Sequence, residues 1–390
     1  MQEIVDRLTA SDPGSETART LVLPYLNHAA TMLESGYATR ADIDAGMRFG
    51  CGYPVGPIAL IEGLGAQTVI DGLTELHAKT GDPLHVPAPI LSDLAGAAGE
   101  AETTPQLRHD VTRIGVVGTG TMASGIVQVF AQAGYDVTYV GRSQDKLDAV
   151  VGYITKNLDR AVAKGKIDED GKSSVLERLT GSTEREALGG VDVVVEAIAE
   201  DLEIKRELFR DLDRIAKPGA ILATTTSSLS IADLAAQTGR PGDVVGIHFF
   251  NPAPIMKLVE VVSAETTSPE VAETAKALSL NVGKHPVSCG DRAGFIVNAL
   301  LFPYLNDAIK LHEDGGGSLE EIDTAIKDNA KLPMGPFELL DVVGNDVSLA
   351  IEQTLFGAFG HQGWAPASTL EKLVAEGKLG RKTKAGFHTY

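Results

Sequence analysis

Residues 21–30 read LVLPYLNHAA and residues 300–309 read LLFPYLNDAI. The likeness runs on without a gap to residues 65 and 344, each position returning 279 residues later. Pro24, Tyr25, Leu26, Asn27, Gly36, Ile43, Asp44, Pro54, Gly56, Pro57 and Gly65 recur as Pro303, Tyr304, Leu305, Asn306, Gly315, Ile322, Asp323, Pro333, Gly335, Pro336 and Gly344. Identities kept in register through proline and glycine turn positions mark a duplication. A unit of this length is a domain, not a solenoid repeat. The segment between the copies has a different texture, so the chain reads A–B–A′.

Working outward, residues 16–97 carry helical periodicity over 17–35 and 40–50, then YPVGP and a third run. Residues 98–110 are small and polar, which predicts a linker. At 111 the pattern becomes RIGVVGTG, a helical stretch over 121–134, then YDVTYVG. Further buried strands are predicted at 191–198, 220–226, 244–250 and 258–262. Strands alternating with helices imply a parallel sheet covered on both faces. Only NPAPIMK (251–257) separates the last two runs, too little for a crossover, which predicts an antiparallel hairpin. The expected fold class is therefore α/β: a Rossmann-type, mostly parallel sheet with an antiparallel edge hairpin, flanked by two all-helical domains. The expected boundaries are a degenerate helical copy at 1–97, the linker at 98–110, the sheet domain at 111–292 and the second helical copy at 293–390.

Bulk properties narrow the function. The chain has 390 residues, 43% hydrophobic and 22% charged, ordinary for a globular protein. It has no apolar run of membrane-spanning length and a polar N-terminus, which predicts a cytoplasmic location. Its net charge of −19 argues against nucleic-acid or anionic-membrane partners. Cys51 and Cys289 lack metal-ligand spacing and read as buried thiols, so no metal is expected.

Gly118-Thr119-Gly120-Thr121-Met122-Ala123 is a GxGxxA turn between a strand and a helix. There the first glycine permits the turn, the second admits a pyrophosphate, and the helix N-terminus offers free N–H groups. The second strand ends in Gly141-Arg142-Ser143, with no carboxylate for the ribose hydroxyls of NAD. Arg142 and Ser143 suit a 2′-phosphate, favouring NADP over NAD; an arginine stacked on adenine would allow either.

His248 and Glu260 stand twelve apart across the predicted hairpin. A carboxylate on one imidazole nitrogen fixes the tautomer, and the other nitrogen can take the proton of a carbinol as hydride leaves. A histidine in an apolar strand can equally be a satisfied core residue; the paired glutamate and the neighbouring turn favour the base.

TTTSSLSI, VVGIHFFNPAPIMKLVEVV, DRAGFIVNALLFPYLNDA and KLPMGPFELLDVVG together resemble the L-3-hydroxyacyl-CoA dehydrogenase family, especially its 3-hydroxybutyryl-CoA members, over about 111–390. The helical copies are then similar to the C-terminal domain of 6-phosphogluconate dehydrogenase. The resemblance implies a catalytic His248–Glu260 dyad, with Ser227 and Asn298 on the substrate oxygens. It also implies that Glu200 and Lys205 lie near the cofactor ribose and nicotinamide, and that Lys164 and Lys166 approach the CoA phosphate. Each has a plainer reading as a solvated side chain. Thr225 stands where the family commonly has asparagine, which implies altered cofactor packing. The implied reaction interconverts (3S)-3-hydroxyacyl-CoA and 3-oxoacyl-CoA. The alternatives are a related dehydrogenase of a free hydroxy acid or sugar acid, or a non-catalytic cofactor-binding protein.

In the family the helical domain makes the homodimer contact. Copy A carries Arg19 at the position of Asn298 and has no counterpart of the LGRKTKAGFHTY segment at 379–390. It is therefore expected to be non-catalytic and to stand in for a partner's helical domain, making a monomer with an internal pseudo-dimer. The alternatives are an idle appendage or a modified homo-oligomer.

Overall fold

The computed structural model describes residues 1–94 and 104–390. Part of the expected linker, 98–103, lies outside the described residues. The chain forms two compact units: the two helical copies together make one, and the sheet domain ending at Arg292 makes the other.

The sheet has eight strands: β1 Arg113–Val117, β2 Asp136–Val140, β3 Leu179–Ser182, β4 Val193–Glu196, β5 Ile221–Thr224, β6 Val244–Phe249, β7 Leu258–Ser263 and β8 His285–Gly290. Their order is β3-β2-β1-β4-β5-β6-β7-β8. All neighbours are parallel except β6 and β7, which form the expected antiparallel hairpin. β4, β5 and β6 are buried along their whole length, as strands with both faces covered must be. Two strands go beyond the sequence reading. β3 is short and partly exposed, so it carries little apolar signal. β8 contains Pro286 and two half-buried polar positions, and it lies parallel to β7 as the outermost strand beyond the hairpin.

In the helical unit the duplication is visible bond by bond. Helix Pro13–Glu34 of copy A corresponds to Val297–Glu313 of copy A′, each with an internal proline, Pro24 and Pro303. Asn27 Nδ2 donates to the carbonyls of Leu84 and Val86, and its Oδ1 accepts from Ala88 N–H at 2.8 Å. Asn306 donates to Ala365 O and accepts from Ala367 N–H, both at 2.9 Å. The equivalence therefore extends past the identities in the sequence, through 88 and 367. Asp44 accepts from Ile58 N–H at 2.7 Å, and Asp323 accepts from Phe337 N–H at 2.9 Å. A Cβ at Gly56 would lie 2.3 Å from Asp44, and one at Gly335 would lie 2.2 Å from Asp323. Glycine recurs at both places because this carboxylate fills the space.

The copies pack on each other. Equivalent rings Tyr25 and Tyr304 meet at 6.1 Å and 60°. When a residue touches its own counterpart, a two-fold axis passes between them. Here that axis is internal to one chain. Around it Ser15 Oγ donates to Asn329 Oδ1 at 3.2 Å, Lys331 pairs with Glu3 at 3.0 Å, and Trp364 packs edge-on against His28 at 5.7 Å.

Candidate active site

The sheet's apolar runs deliver three turns to the carboxyl ends of its parallel strands, where ligands of such sheets bind. The first follows β1. Gly118 has φ 132°, and a Cβ there would lie 2.3 Å from Ala197 O, so only glycine fits. A Cβ at Gly120 would meet nothing within 4 Å, so the backbone is open to a ligand on that side. Helix Thr121–Gln132 starts there with no side-chain cap, leaving its first N–H groups to an anion. Thr121 is exposed and Met122 half-buried. The donor set fits a dinucleotide pyrophosphate.

At the end of β2, Arg142 and Ser143 are exposed. Ser143 is the N-cap of helix Gln144–Ala163 but makes no capping bond. A Cβ at Gly141 would lie 2.5 Å from Thr119 Cγ2 and 3.0 Å from Leu147 Cδ2. A side chain at 141 would have to push aside the Thr119 methyl and crowd Leu147. Lys164 and Lys166 are exposed just beyond that helix.

The second turn joins β4 and β5 through a buried charge cluster. Lys205 is 1% exposed and Glu196, the last residue of β4, is 0% exposed. Lys205 Nζ donates to both Glu196 oxygens at 2.9 Å and lies 2.9 Å from Glu200 Oε2. Glu196 also accepts from Ile198 N–H at 2.7 Å and Thr224 Oγ1 at 2.6 Å. Glu200 Oε1 accepts from Thr226 Oγ1 and from Ser227 N–H at 3.0 Å, with Ser227 Oγ at a long 3.4 Å. Burial alone would raise the Glu200 carboxyl, but the Lys205 ammonium and these hydrogen bonds hold it below the usual glutamate value. Lys205 is thus not a solvated lysine. Thr225 spends its hydroxyl accepting from Phe249 N–H at 3.2 Å, which ties β5 to β6.

The third element is the hairpin. Its register sets His248 directly opposite Glu260. His248 Nδ1 and Glu260 Oε2 are 2.7 Å apart, at 7% and 1% exposure. The Phe250 ring lies 4.6 Å from the imidazole. The buried Lys284 pins the turn by donating to Ala253 O at 2.6 Å and Met256 O at 2.8 Å; burial lowers its pKa. A Cβ at Gly125 would lie 3.0 Å from Pro254 Cδ, so the helix of the phosphate turn rests against the hairpin. These contacts bring the GxGxxA turn and the His248–Glu260 pair into one block.

The 3-hydroxyacyl-CoA dehydrogenase NAD-binding domain matches residues 113–292, and the C-terminal domain of the same enzymes matches both 17–105 and 294–390. The chain belongs to the 3-hydroxyacyl-CoA dehydrogenase family. It is 44% identical over 278 residues to the 3-hydroxybutyryl-CoA dehydrogenase of Clostridioides difficile, covering 71% of this chain and 99% of that one. It is 43% identical over 297 residues to human mitochondrial hydroxyacyl-coenzyme A dehydrogenase, covering 72% and 91%. The crystal structure of Mycobacterium tuberculosis FadB2 superposes with a TM-score of 0.69 at 41% identity, covering 72% and 99%. In this chain the C-terminal domain matches twice, once on each side of the NAD-binding domain.

Asn298 belongs to the helical unit. It is the second residue of helix Val297–Glu313 and is half-buried. Its counterpart Arg19 donates through Nη1 to Leu8 O at 2.8 Å and Ala10 O at 2.6 Å, tying down the N-terminal helix Gln2–Leu8. Sequence reasoning missed Glu196, Thr226 and Lys284. The available signal for Glu196 was a carboxylate ending an otherwise apolar strand, which needs a buried partner. No cluster of metal-ligating side chains occurs among the described residues, and no helix among them is long and apolar enough to cross a membrane.

Proposed function

We propose that this chain interconverts (3S)-3-hydroxyacyl-CoA, 3-hydroxybutyryl-CoA foremost, and the 3-oxoacyl-CoA, and that it prefers NADP(H). The observation that carries the reading is the buried His248–Glu260 pair, held at 2.7 Å beside the phosphate turn. The nicotinamide, when bound, supplies the hydride acceptor or donor. Glu260 fixes the imidazole through Nδ1, and proton exchange with the substrate hydroxyl falls to Nε2. Oxidation then moves the O–H proton to His248 and the C–H hydride to the cofactor; reduction reverses both. Ser227 and Asn298 would hold the substrate oxygens and fix the carbinol carbon for transfer. The backbone from Gly118 to Met122 would hold the pyrophosphate, Glu200 the nicotinamide ribose, and Lys164 and Lys166 the CoA phosphate.

The NADP preference rests on two facts: position 141 is a glycine and offers no carboxylate to the ribose hydroxyls, and the exposed Arg142 and Ser143 follow it. Following the absorbance of NADPH and of NADH with acetoacetyl-CoA tests both parts. Oxidation of NADPH well ahead of NADH is expected, with Arg142→Ala raising KM for NADPH alone. Equal use of both would end the preference, and no oxidation of either would end the thioester reading. We further propose that the chain works as a cytoplasmic monomer, its copy A occupying the place of a partner's helical domain. The internal two-fold at Tyr25 and Tyr304 supports this. Light scattering should give 41.0 kDa. A dimeric mass would overturn it.

A further inference from the structure

The turn between β6 and β7 carries an inference that rests on this reading of His248 and Glu260. Residues 251–257 include Pro252 and Pro254, which have no N–H to donate. The amides of Ile255 and Met256 both go to Pro252 O, at 2.9 and 3.0 Å. The carbonyls of Ala253 and Met256 are left with no backbone donor among the described residues. Lys284 supplies one to each, at 2.6 and 2.8 Å. Strand β8 delivers it: β8 starts at His285, level with Leu258 at the start of β7, so Lys284 arrives at the turn's end of the sheet. His285 N–H donates to Lys257 O at 2.7 Å and continues the tie. Lys284 is 8% exposed, and burial lowers its pKa with no carboxylate beside it to offset the cost. An ammonium buried without a counter-charge costs stability, and its effect here is one defined shape for the turn.

That turn bears on both halves of the site. It closes the hairpin that sets His248 opposite Glu260. On its other side it meets the helix of the phosphate turn: a Cβ at Gly125 would lie 3.0 Å from Pro254 Cδ and 3.2 Å from Ala253 Cβ. We propose that Lys284 is a positioning residue for hydride transfer: by holding the Ala253 and Met256 carbonyls it fixes the spacing between the helix of the phosphate turn and the strand that carries His248. It acts through the turn and not by contact with substrate or nucleotide. Without it both ligands are still held, but misaligned.

The test is steady-state kinetics of the full chain with acetoacetyl-CoA and each reduced nucleotide, for Lys284→Met and Gly125→Ala. Methionine keeps the apolar stem and removes the ammonium. It should lower kcat on the order of a hundredfold, the scale for a misplacement of about 1 Å, with both KM values within about twofold of wild type. Deuterium at the transferred position of the nicotinamide should slow this variant at least as much as the wild type, because the hydride step is the one impaired. A smaller isotope effect would place the loss in another step and overturn the proposal. Gly125→Ala presses a methyl group against Pro254 and leaves the lysine untouched. It should lower kcat about fivefold, although alanine is the better helix former. This variant decides the matter if Lys284→Met does not fold. Wild-type kcat in Gly125→Ala, or in a Lys284→Met variant that only melts earlier, would reduce the lysine to scaffolding and overturn the proposal. A loss confined to KM would also overturn it, by making the lysine a binding group. A wild-type chain inactive with both nucleotides would instead sink the functional reading, and this inference with it.

Discussion

The two helical copies share a fold and differ in what their equivalent positions do. At one pair, Asn298 of copy A′ is matched by Arg19 of copy A, whose guanidinium ties down an N-terminal helix. At a second pair, the buried Asp341 gathers the C-terminal tail, accepting from Phe387 N–H at 2.9 Å, His388 N–H at 2.8 Å and Tyr390 O–H at 3.1 Å. Its counterpart Glu62 is exposed and pairs with Arg40. At a third, Asp307 is matched by His28, whose two ring nitrogens are buried without hydrogen-bond partners. The Asn27/Asn306 and Asp44/Asp323 bonds that shape the helices are kept, while the positions linked to the proposed chemistry and the chain end have diverged. The two copies thus keep their shared packing bonds and differ at the position proposed to touch substrate.

The sharpest way to break that contrast is at the first pair. Asn298→Ala should lower kcat/KM by about a thousandfold, the scale for losing one positioned donor at a reacting oxygen. Arg19→Ala should leave kcat/KM within about twofold, since that residue only ties down a helix. Equal losses would place copy A in the chemistry.

Next comes the tail. Asp341→Ala strands two N–H groups and a hydroxyl and should cost about 3 kcal/mol, read as a lower urea midpoint. Glu62→Ala removes an exposed ion pair and should cost about 0.5 kcal/mol or less. A similar cost at both positions would mean that the tail contributes no stability.

The third pair predicts opposite pH limbs. Burial lowers the His28 pKa to about 4, so below pH 6.5 the unfolded chain takes up a proton that the folded chain refuses, and stability falls as pH drops. Burial raises Asp307 to about 7, so as pH climbs from 4 the unfolded chain ionises first, and stability falls as pH rises. Both windows lie between about pH 4 and 7, with opposite slopes: His28→Leu should remove the fall toward acid and Asp307→Asn the fall toward neutral pH, each by about 1–2 kcal/mol once partial exposure of Asp307 is allowed for. The single Trp364, edge-on to His28, reports unfolding of this interface by fluorescence.

The smallest effects should be equal in the two copies. Thr39 and Ser318 are equivalent N-caps, accepting from Asp42 N–H at 3.1 Å and Glu321 N–H at 3.2 Å. Alanine at either should cost about 1 kcal/mol. A large inequality would show that one copy's helix is held by packing alone.

Much of this was legible in the chain. Gly118 and Gly120 follow an apolar strand, and the twelve-residue spacing of His248 and Glu260 matches a hairpin with a turn near Pro254; both are consequences of local backbone geometry. The extra strands β3 and β8 escaped because their apolar alternation is weak. The burial of Lys205 was not legible because nothing within its own segment shows that Glu196, nine positions earlier and at the end of an apolar strand, lies against it.

The sequence by itself determined the duplication, the phosphate turn and the facing of histidine and glutamate, since each depends on residues close in the chain or repeated in register. Only the tertiary structure decided that the two copies meet about an axis at Tyr25 and Tyr304, that Asp341 anchors the chain end, and that Lys205 lies behind Glu200. Those outcomes depend on which distant surfaces exclude water together, and the free energy of burying a charge is set by its neighbours in space rather than in sequence.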